Sequence, residues 1–152
     1  MSKKNIVIYG ATGSIGDSTL NLIRSNKDDF NIIGITCNEN VDKLIEIANE
    51  FDCKSIGIAN KELITRYENQ LRDYTVHAGI DEFYNLVSDN NVDIVIFAIS
   101  GSAPVKFQAE RILAVTRSAI NFAELVVTSN MALGPPVNSG SDDDDDEDEE
   151  DD

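Results

Sequence analysis

The stretch that decides this fold is GATGSIG, residues 10–16, which stands between an apolar run and an amphipathic pattern. Gly10 permits a tight turn at the end of a strand, Gly13 lets a pyrophosphate approach bare backbone, and Gly16 lets a helix pack closely on a sheet. The free N–H groups and the dipole at the start of such a helix attract phosphate oxygens. We therefore predict a dinucleotide-binding loop, with a purely structural turn between strand and helix as the alternative.

The apolar residues further along the chain alternate between the periods of strands and helices. The pattern predicts strands at Asn5–Tyr9, Asn31–Thr36, Ser55–Ala59, Tyr74–His77 and Val92–Ile99. It predicts helices at Ile15–Asn26, Val41–Phe51, Lys61–Leu71, Ile80–Ser88 and Ala103–Val115, with a weaker apolar stretch after them at Ala119–Val127. Because strands that alternate with helices form parallel sheets with right-handed crossovers, we predict an α/β fold, a doubly wound, Rossmann-like parallel sheet.

The C-terminal end of the chain differs in composition from the rest. After Val127 the apolar period stops, and all 11 residues from 142 to 152 are acidic, out of 28 acidic residues in a chain of 152. Like charges at this density repel one another and favour disorder. We predict a single dinucleotide-binding domain over residues 1–130, and a linker with a disordered polyacidic tail over residues 131–152.

Charge and composition exclude several classes of protein. Outside the tail, 17 acidic and 12 basic side chains leave no basic surface of the kind that nucleic acid requires. The sequence contains no run of 18 or more apolar residues, so we expect no membrane span. The N-terminus has no secretory signal pattern. Cys37 and Cys53 are too few for a disulfide framework, so we expect reduced thiols and a cytoplasmic protein. His77 has no neighbouring ligands in the sequence and indicates a structural role.

A second candidate site follows the second predicted strand, in Thr36–Asn40. In dinucleotide folds this loop meets the adenosine ribose, where an acid accepts from the 2′-hydroxyl of NAD and a cation binds the 2′-phosphate of NADP. Glu39 lies 23 residues after Gly16, close to the expected ~20, which favours NAD. Lys43, one helical turn further on, leaves NADP open, and a solvated charge at a helix start is the alternative role for Glu39.

A third loop of small residues, Ala98–Ala103, follows the longest apolar strand. Ligands of open parallel sheets bind at the carboxyl ends of the strands, so we expect this loop to face the cofactor on the side opposite Gly13. Its alternative role is to cap the next helix through Ser100 or Ser102.

These motifs together resemble one enzyme family. The marks are the loop Gly-x-Thr-Gly-Ser-Ile-Gly at residues 10–16, the pair Asn40-Val41 after the second strand, and the segment Ala98–Gly101. From about Lys4 to Ala103 the chain is similar to the N-terminal NADPH-binding domain of 1-deoxy-D-xylulose-5-phosphate reductoisomerase. The resemblance implies an oxidoreductase of non-mevalonate isoprenoid synthesis, which isomerises its substrate and reduces it with NADPH to 2-C-methyl-D-erythritol 4-phosphate.

The resemblance also implies which residues contact the cofactor, namely Thr12, Gly13, Ser14, Ile15, Asn38, Glu39, Asn40 and Glu124. The family often has Gly-Lys-Asn where this chain has Asn38-Glu39-Asn40, so an acid replaces the cation for a 2′-phosphate, and NADH becomes possible beside NADPH. Before Glu124, Phe122 replaces the Asn that helps to hold NADPH in the family, and Ala123 replaces the Lys that helps to hold the substrate phosphate.

The catalytic domain of the family lies beyond the region that this chain resembles. An acidic cluster there holds a divalent metal, Mg or Mn, so the resemblance implies no metal ligands and no catalytic residues in this chain. We expect the chain alone to be inactive, with the sugar-phosphate substrate bound only if a catalytic domain is supplied, and the family assembly is a homodimer. Two alternatives stay open: an interaction module with a spent nucleotide site and an acidic tail for basic partners, or another NAD-dependent oxidoreductase.

Overall fold

The computed structural model describes residues 2–88, 91–99, 110–112, 114 and 124–127. The strands are β1 (Lys4–Tyr9), β2 (Phe30–Cys37), β3 (Ser55–Ile58), β4 (Thr75–Ala78), β5 (Ile94–Phe97) and β6 (Glu124–Val127). The helices are α1 (Ser14–Ser25), α2 (Val41–Glu50), α3 (Glu62–Arg66) and a 3₁₀ helix at Ile80–Leu86. All five predicted strands are present, with ends shifted by one or two residues, and β6 falls within the weaker apolar stretch.

The six strands lie parallel in one sheet, in the order β4-β3-β2-β1-β5-β6. The chain winds outward from β1 to β4 and then returns to the other side of β1 with β5. Where the winding reverses, such sheets leave a crevice beyond the carboxyl ends of the central strands, here next to the paired residues Tyr9 and Phe97. The predicted doubly wound, Rossmann-like α/β fold is confirmed.

Two hydrophobic clusters form the core, and alternate residues of β1 belong to each. Ile6 and Ile8 belong to the cluster that includes α1 and α2, whereas Val7 and Tyr9 belong to the cluster that includes the 3₁₀ helix. The Tyr9 hydroxyl donates a hydrogen bond of 2.9 Å to the Phe83 carbonyl, and this bond ties the 3₁₀ helix to the central strand. Because β1 is buried on both faces, it is apolar at consecutive positions, which is why the sequence marks it clearly.

The predicted helix over Lys61–Leu71 is shorter in the structure. Only α3 is α-helical, and the residues after it form turns that carry Leu71 into the core. The helix ends at Tyr67, whose hydroxyl donates to the Asp42 carboxylate at 2.8 Å. Contacts with α2 and with the core therefore override the helical pattern of this segment.

The predicted helix over Ile80–Ser88 is a 3₁₀ helix instead of an α-helix. Ile80, Phe83 and Leu86 recur every three residues, and Phe83 and Leu86 are buried in the second cluster. A repeat of three matches the 3.0 residues per turn of a 3₁₀ helix, so this winding keeps all three on one side.

Several predictions concern residues outside the described part of the chain. Residues 110–112 and 114 are helical, and the rest of the predicted helix Ala103–Val115 lies outside the described residues, as do residues 100–103 and the tail 131–152. Among the residues that the structure does describe, no helix has the length and apolar character needed to cross a membrane.

Candidate functional site

The glycine loop begins with a turn that only glycine suits. Gly10 has φ +81°, and a Cβ built on it lies 2.8 Å from Ile99 Cγ1 and 2.9 Å from the Ala98 carbonyl oxygen. Its amide donates to Thr36 Oγ1 at 2.9 Å, and the Ala11 amide donates to the Thr36 carbonyl at 2.9 Å. The end of β2 therefore fixes the path of the loop, and the loop passes directly against the end of β5.

The two later glycines meet very different surroundings. A Cβ at Gly16 lies 2.7 Å from the Gly10 carbonyl oxygen and closer still to that of Ala11, so the helix start packs backbone against backbone. Among the described residues, a Cβ at Gly13 has no atom within 4 Å apart from those of its chain neighbours. Gly13 is the N-cap of α1, in extended conformation with φ −87° and ψ 179°, and supplies no side-chain cap. The first turn of α1 therefore opens on free space, the geometry that suits an anion.

A cavity of about 180 Å³ adjoins this loop at the carboxyl edge of the sheet. All three candidate loops contribute to it, through residues that include Gly10, Thr12, Gly13, Cys37, Asn38, Ala98 and Ile99. Ala59, Ile80 and Phe83 add an apolar wall. A mostly apolar cleft with backbone polar groups at one end is the usual form of a small-molecule site.

The loop after β2 is held by its own hydrogen bonds. Asn40 is the N-cap of α2, and its side chain accepts from the Lys43 amide at 3.2 Å. The Asn60 amide donates to the Asn38 carbonyl at 3.1 Å, and the Asn60 side chain donates to Glu39 Oε1 at 3.4 Å. Asn38, Glu39 and Asn40 are all exposed, so this loop forms the rim of the cavity.

Lys43 does not extend into solvent. Its ammonium group donates to the Thr12 carbonyl at 3.0 Å and forms an ion pair with the Asp17 carboxylate at 2.8 Å. Asp17 lies in the first turn of α1, beside the proposed anion site, and Lys43 balances its charge. A contact between α2 and the first loop thus joins two loops that are about 30 residues apart in the sequence.

The structure brings most of the predicted contacts to one edge, but not Glu124. Thr12 and Gly13 line the cavity with Asn38, while Ser14 and Ile15 follow in the first turn of α1. Glu124 begins β6 and pairs with Ile94, at the end of the sheet away from Phe97. The backbone of Glu124 is therefore ~10 Å from the carboxyl edge at the usual rise per residue.

The sequence analysis included Thr36 in the second candidate site without giving it a role, and it missed Ala59, Ile80 and Phe83 of the cavity. Thr36 is 1% exposed and shapes the glycine loop, and its signal is a polar side chain at the end of an otherwise apolar strand. Ala59, Ile80 and Phe83 have no local signal, because the chain brings them to the cavity from distant segments.

The cysteines and the histidine carry no ligand-binding cluster in the described part of the chain. No group of three or more His, Cys, Asp or Glu residues is placed there to hold a metal ion. Burial raises the pKa of Cys37 to about 12, although this thiol lines the cavity. His77 Nε2 lies 3.1 Å from Ser55 Oγ, and burial lowers the pKa of the imidazole.

A doubly wound parallel sheet, with a glycine turn that opens on a cavity at its carboxyl edge, defines a Rossmann-like nucleotide-binding domain. The family model of 1-deoxy-D-xylulose 5-phosphate reductoisomerase matches residues 6–130. The chain belongs to this family and corresponds to its N-terminal domain, which confirms the resemblance noted in the sequence.

Relatives with curated names and solved structures agree with this assignment. The reductoisomerase of Shewanella pealeana is 32% identical over 142 residues, which cover 91% of this chain and 36% of the relative. The structure of the Zymomonas mobilis enzyme in complex with NADPH has a TM-score of 0.61 at 25% identity, over 83% of this chain and 38% of that one. A reductoisomerase in complex with NADPH, fosmidomycin and magnesium has a TM-score of 0.59 at 26% identity, over 82% of this chain and 36% of that one. The chain spans between 26% and 37% of the length of its curated relatives.

Proposed function

We propose that this chain is the dinucleotide-binding part of a reductoisomerase and holds a nicotinamide dinucleotide at the carboxyl edge of its sheet. The observation that carries the proposal is the open space at Gly13, directly ahead of the first turn of α1. When bound, the dinucleotide supplies a hydride to the substrate, and NADPH is the dinucleotide in the solved relatives. The residues of this chain bind and orient it.

The pyrophosphate is proposed to bind the backbone of residues 12–15. Gly13 leaves the N–H groups of the helix start uncovered, and their partial charges attract phosphate oxygens. The carboxylate of Asp17 in the same turn would repel an anion, but Lys43 forms an ion pair with it. The ion pair therefore supports phosphate binding at a helix start that carries an acid.

The rest of the dinucleotide is proposed to follow the cavity and its rim. The apolar wall of Ala59, Ile80 and Phe83 suits the flat face of a base, which loses water when it binds there. Asn38 and Glu39, at the rim, offer acceptors for ribose hydroxyls. Glu124 is not included in this proposal, because the register of β6 places its backbone at the other end of the sheet.

The activity of the longer relatives is proposed for this chain only in combination with further protein. A sugar-phosphate substrate and a divalent metal would be held by a catalytic domain, and this chain would supply the cofactor half of the site. We also propose a cytoplasmic location and a homodimer, as the family resemblance implies. The two free, buried cysteines support a reducing compartment.

The experiment is a calorimetric titration of the purified chain and of Gly13→Val with NADPH and with NADH. Valine favours the extended conformation of residue 13, and an added Cβ there has no described atom within 4 Å beyond its chain neighbours, so we expect the variant to fold. Its branched side chain would occupy the space of the pyrophosphate. We expect binding to weaken by a factor of about 100 or more, or about 3 kcal/mol. Leu22→Val, at an exposed site on the same helix, is the matched control.

Thermal denaturation of each variant separates loss of binding from loss of fold. Unchanged affinity in a folded Gly13→Val variant would exclude the glycine loop as the pyrophosphate site. If the wild-type chain binds neither dinucleotide, the proposed function is contradicted, and the alternative of an interaction module with a spent nucleotide site gains support.

A further inference from the structure

We propose that Glu39 makes this site select NADH over NADPH. The inference rests on the proposed function and adds the identity of the group at the 2′ position of the adenosine ribose. It depends on where the carboxylate of Glu39 lies, on what holds it there, and on which cations stand near it.

The position of Glu39 follows from the end of β2. Cys37, the last residue of that strand, and Asn38, the next residue, both line the cavity, and Glu39 follows at its exposed rim. In doubly wound folds the residue at this place meets the adenosine ribose, and a carboxylate there accepts from the 2′-hydroxyl. A 2′-phosphate at the same place would bring two negative groups together.

The loop that carries Glu39 is fixed from the neighbouring strand. The Ala59 amide donates to the Cys37 carbonyl at 3.0 Å, and the Asn60 amide donates to the Asn38 carbonyl at 3.1 Å. The side-chain amide of Asn60 also lies 3.4 Å from Glu39 Oε1. The backbone of the loop is therefore held at the rim, and the Asn60 side chain adds a long, exposed hydrogen bond to the carboxylate.

The nearest lysine of α2 is committed to other partners. Lys43 contacts the Thr12 carbonyl at 3.0 Å and the Asp17 carboxylate at 2.8 Å. Recruiting its ammonium group to a 2′-phosphate would leave Asp17 uncompensated beside the proposed pyrophosphate site. The positive charge of Lys43 is thus already paired with Asp17 at the first loop.

Another cation of the described part of the chain, Lys61, lies near this rim. Lys61 follows Asn60, is exposed, and rests its alkyl stem against Gly79 at the end of β4. This contact directs the stem toward β4, the edge strand, and away from β2. The group that faces the ribose from the end of β2 is accordingly the carboxylate of Glu39. If a cation binds a 2′-phosphate here instead, Lys61 is the main candidate.

The experiment compares the dissociation constants of NADH and NADPH by calorimetry, for wild type and the variants Glu39→Lys, Glu46→Lys, Lys43→Met and Lys61→Met. We expect the wild type to bind NADH about tenfold more tightly than NADPH, because the Glu39 carboxylate repels the 2′-phosphate of NADPH at the protein surface. Glu39→Lys should reverse the preference, and Glu46→Lys, with the same charge change on the exposed face of α2, should not. Lys43→Met should weaken both dinucleotides by a similar factor.

The outcomes separate this inference from the function on which it rests. Binding of neither dinucleotide overturns both. Equal affinities, or a preference for NADPH, overturn the role of Glu39 and leave the dinucleotide site in place. A preference for NADPH that is lost in Lys61→Met or in Lys43→Met would assign the 2′-phosphate to that lysine. The wild-type preference for NADH should also shrink at high salt, since screening weakens the repulsion that disfavours NADPH.

Discussion

Thr36 holds the glycine loop through Gly10. The Thr36 hydroxyl accepts from the Gly10 amide at 2.9 Å, and the Thr36 carbonyl accepts from the next amide, that of Ala11, at the same distance. Thr36 is 1% exposed and places a polar side chain in the interior at the end of an otherwise apolar strand. A single residue of β2 thus supplies two acceptors to a loop 26 positions earlier in the sequence.

Thr36→Val tests this connection, because it keeps the shape of the side chain and removes the acceptor. The Gly10 amide then loses its partner in a partly buried place, and we expect a loss of about 1–3 kcal/mol of unfolding free energy. Thr36→Ser keeps the hydroxyl and should lose less. Urea unfolding measures both variants. Equal stability of the Val and Ser variants would show that the hydroxyl does not hold the loop.

The three glycines of the loop should respond differently to alanine. Gly10→Ala places a Cβ at φ +81° against Ile99 and the Ala98 carbonyl, and Gly16→Ala drives a Cβ into backbone. We expect each to cost about 1–3 kcal/mol or more, from strain and overlap. Gly13→Ala meets no described atom, so it should cost less, at most about 1 kcal/mol, because alanine is a poorer N-cap than glycine. Thermal denaturation ranks them, and a Gly13 variant as unstable as the Gly16 variant would contradict the geometry.

The sequence predicted the parts of the fold that are decided locally. The strand β1 is buried on both faces, so its apolar run is visible in the sequence, and the glycines mark the turn after it. A helix was predicted at Ile80–Ser88, but its 3₁₀ winding was not. The hydrogen bond from the Tyr9 hydroxyl to the Phe83 carbonyl, 74 residues later, leaves no local signal in the sequence.

In the candidate site, too, the features decided locally could be predicted, and those set by contacts between distant segments could not. The positions of the glycine loop and of the loop of Glu39 at the carboxyl edge could be predicted, because each loop directly follows a strand that the apolar pattern marks. The hydrogen bond from Lys43 to the Thr12 carbonyl and its ion pair with Asp17 were not predicted, because they depend on the distance between α1 and α2 in the folded chain. The backbone of Glu124 lies at the other end of the sheet, because a match of motifs says nothing about strand register.

The ion pair between Arg24 and Glu50 predicts a small pH dependence of stability. Arg24 donates two hydrogen bonds of 2.6 Å to the Glu50 carboxylate and joins α1 to α2. These bonds lower the pKa of Glu50 below its ordinary value of 4.5. The pair is about a third exposed, so its contribution is screened, and we expect Glu50→Gln to cost at most about 1 kcal/mol at neutral pH.

The sign of that dependence follows from the lowered pKa. The folded state binds the Glu50 proton less readily than the unfolded state, so the stabilisation is present above the ordinary pKa and is lost as the pH falls through the lowered one. Unfolding of wild type and Glu50→Gln should therefore converge in acid. Glu46→Gln on the same helix is the control. A wild-type advantage that persists well into acid would show that the charge of Glu50 is not its source.

The cysteines should be protected from alkylation while the protein is folded. Burial raises the pKa of Cys37 from 9.0 to about 12 and that of Cys53 to about 11. Only the thiolate reacts, so a rise of this size leaves roughly a thousandfold less reactive Cys37 at neutral pH. Cys37 lines the cavity and Cys53 does not, so a bound dinucleotide should slow Cys37 further and leave Cys53 largely unchanged. Each of the variants Cys37→Ala and Cys53→Ala keeps a single thiol. Its rate of labelling by iodoacetamide is measured by mass spectrometry, with and without NADH in the labelling reaction. Rapid labelling of Cys37 in the native chain would contradict its burial, and equal protection of both thiols by the dinucleotide would place the ligand elsewhere than at the end of β2.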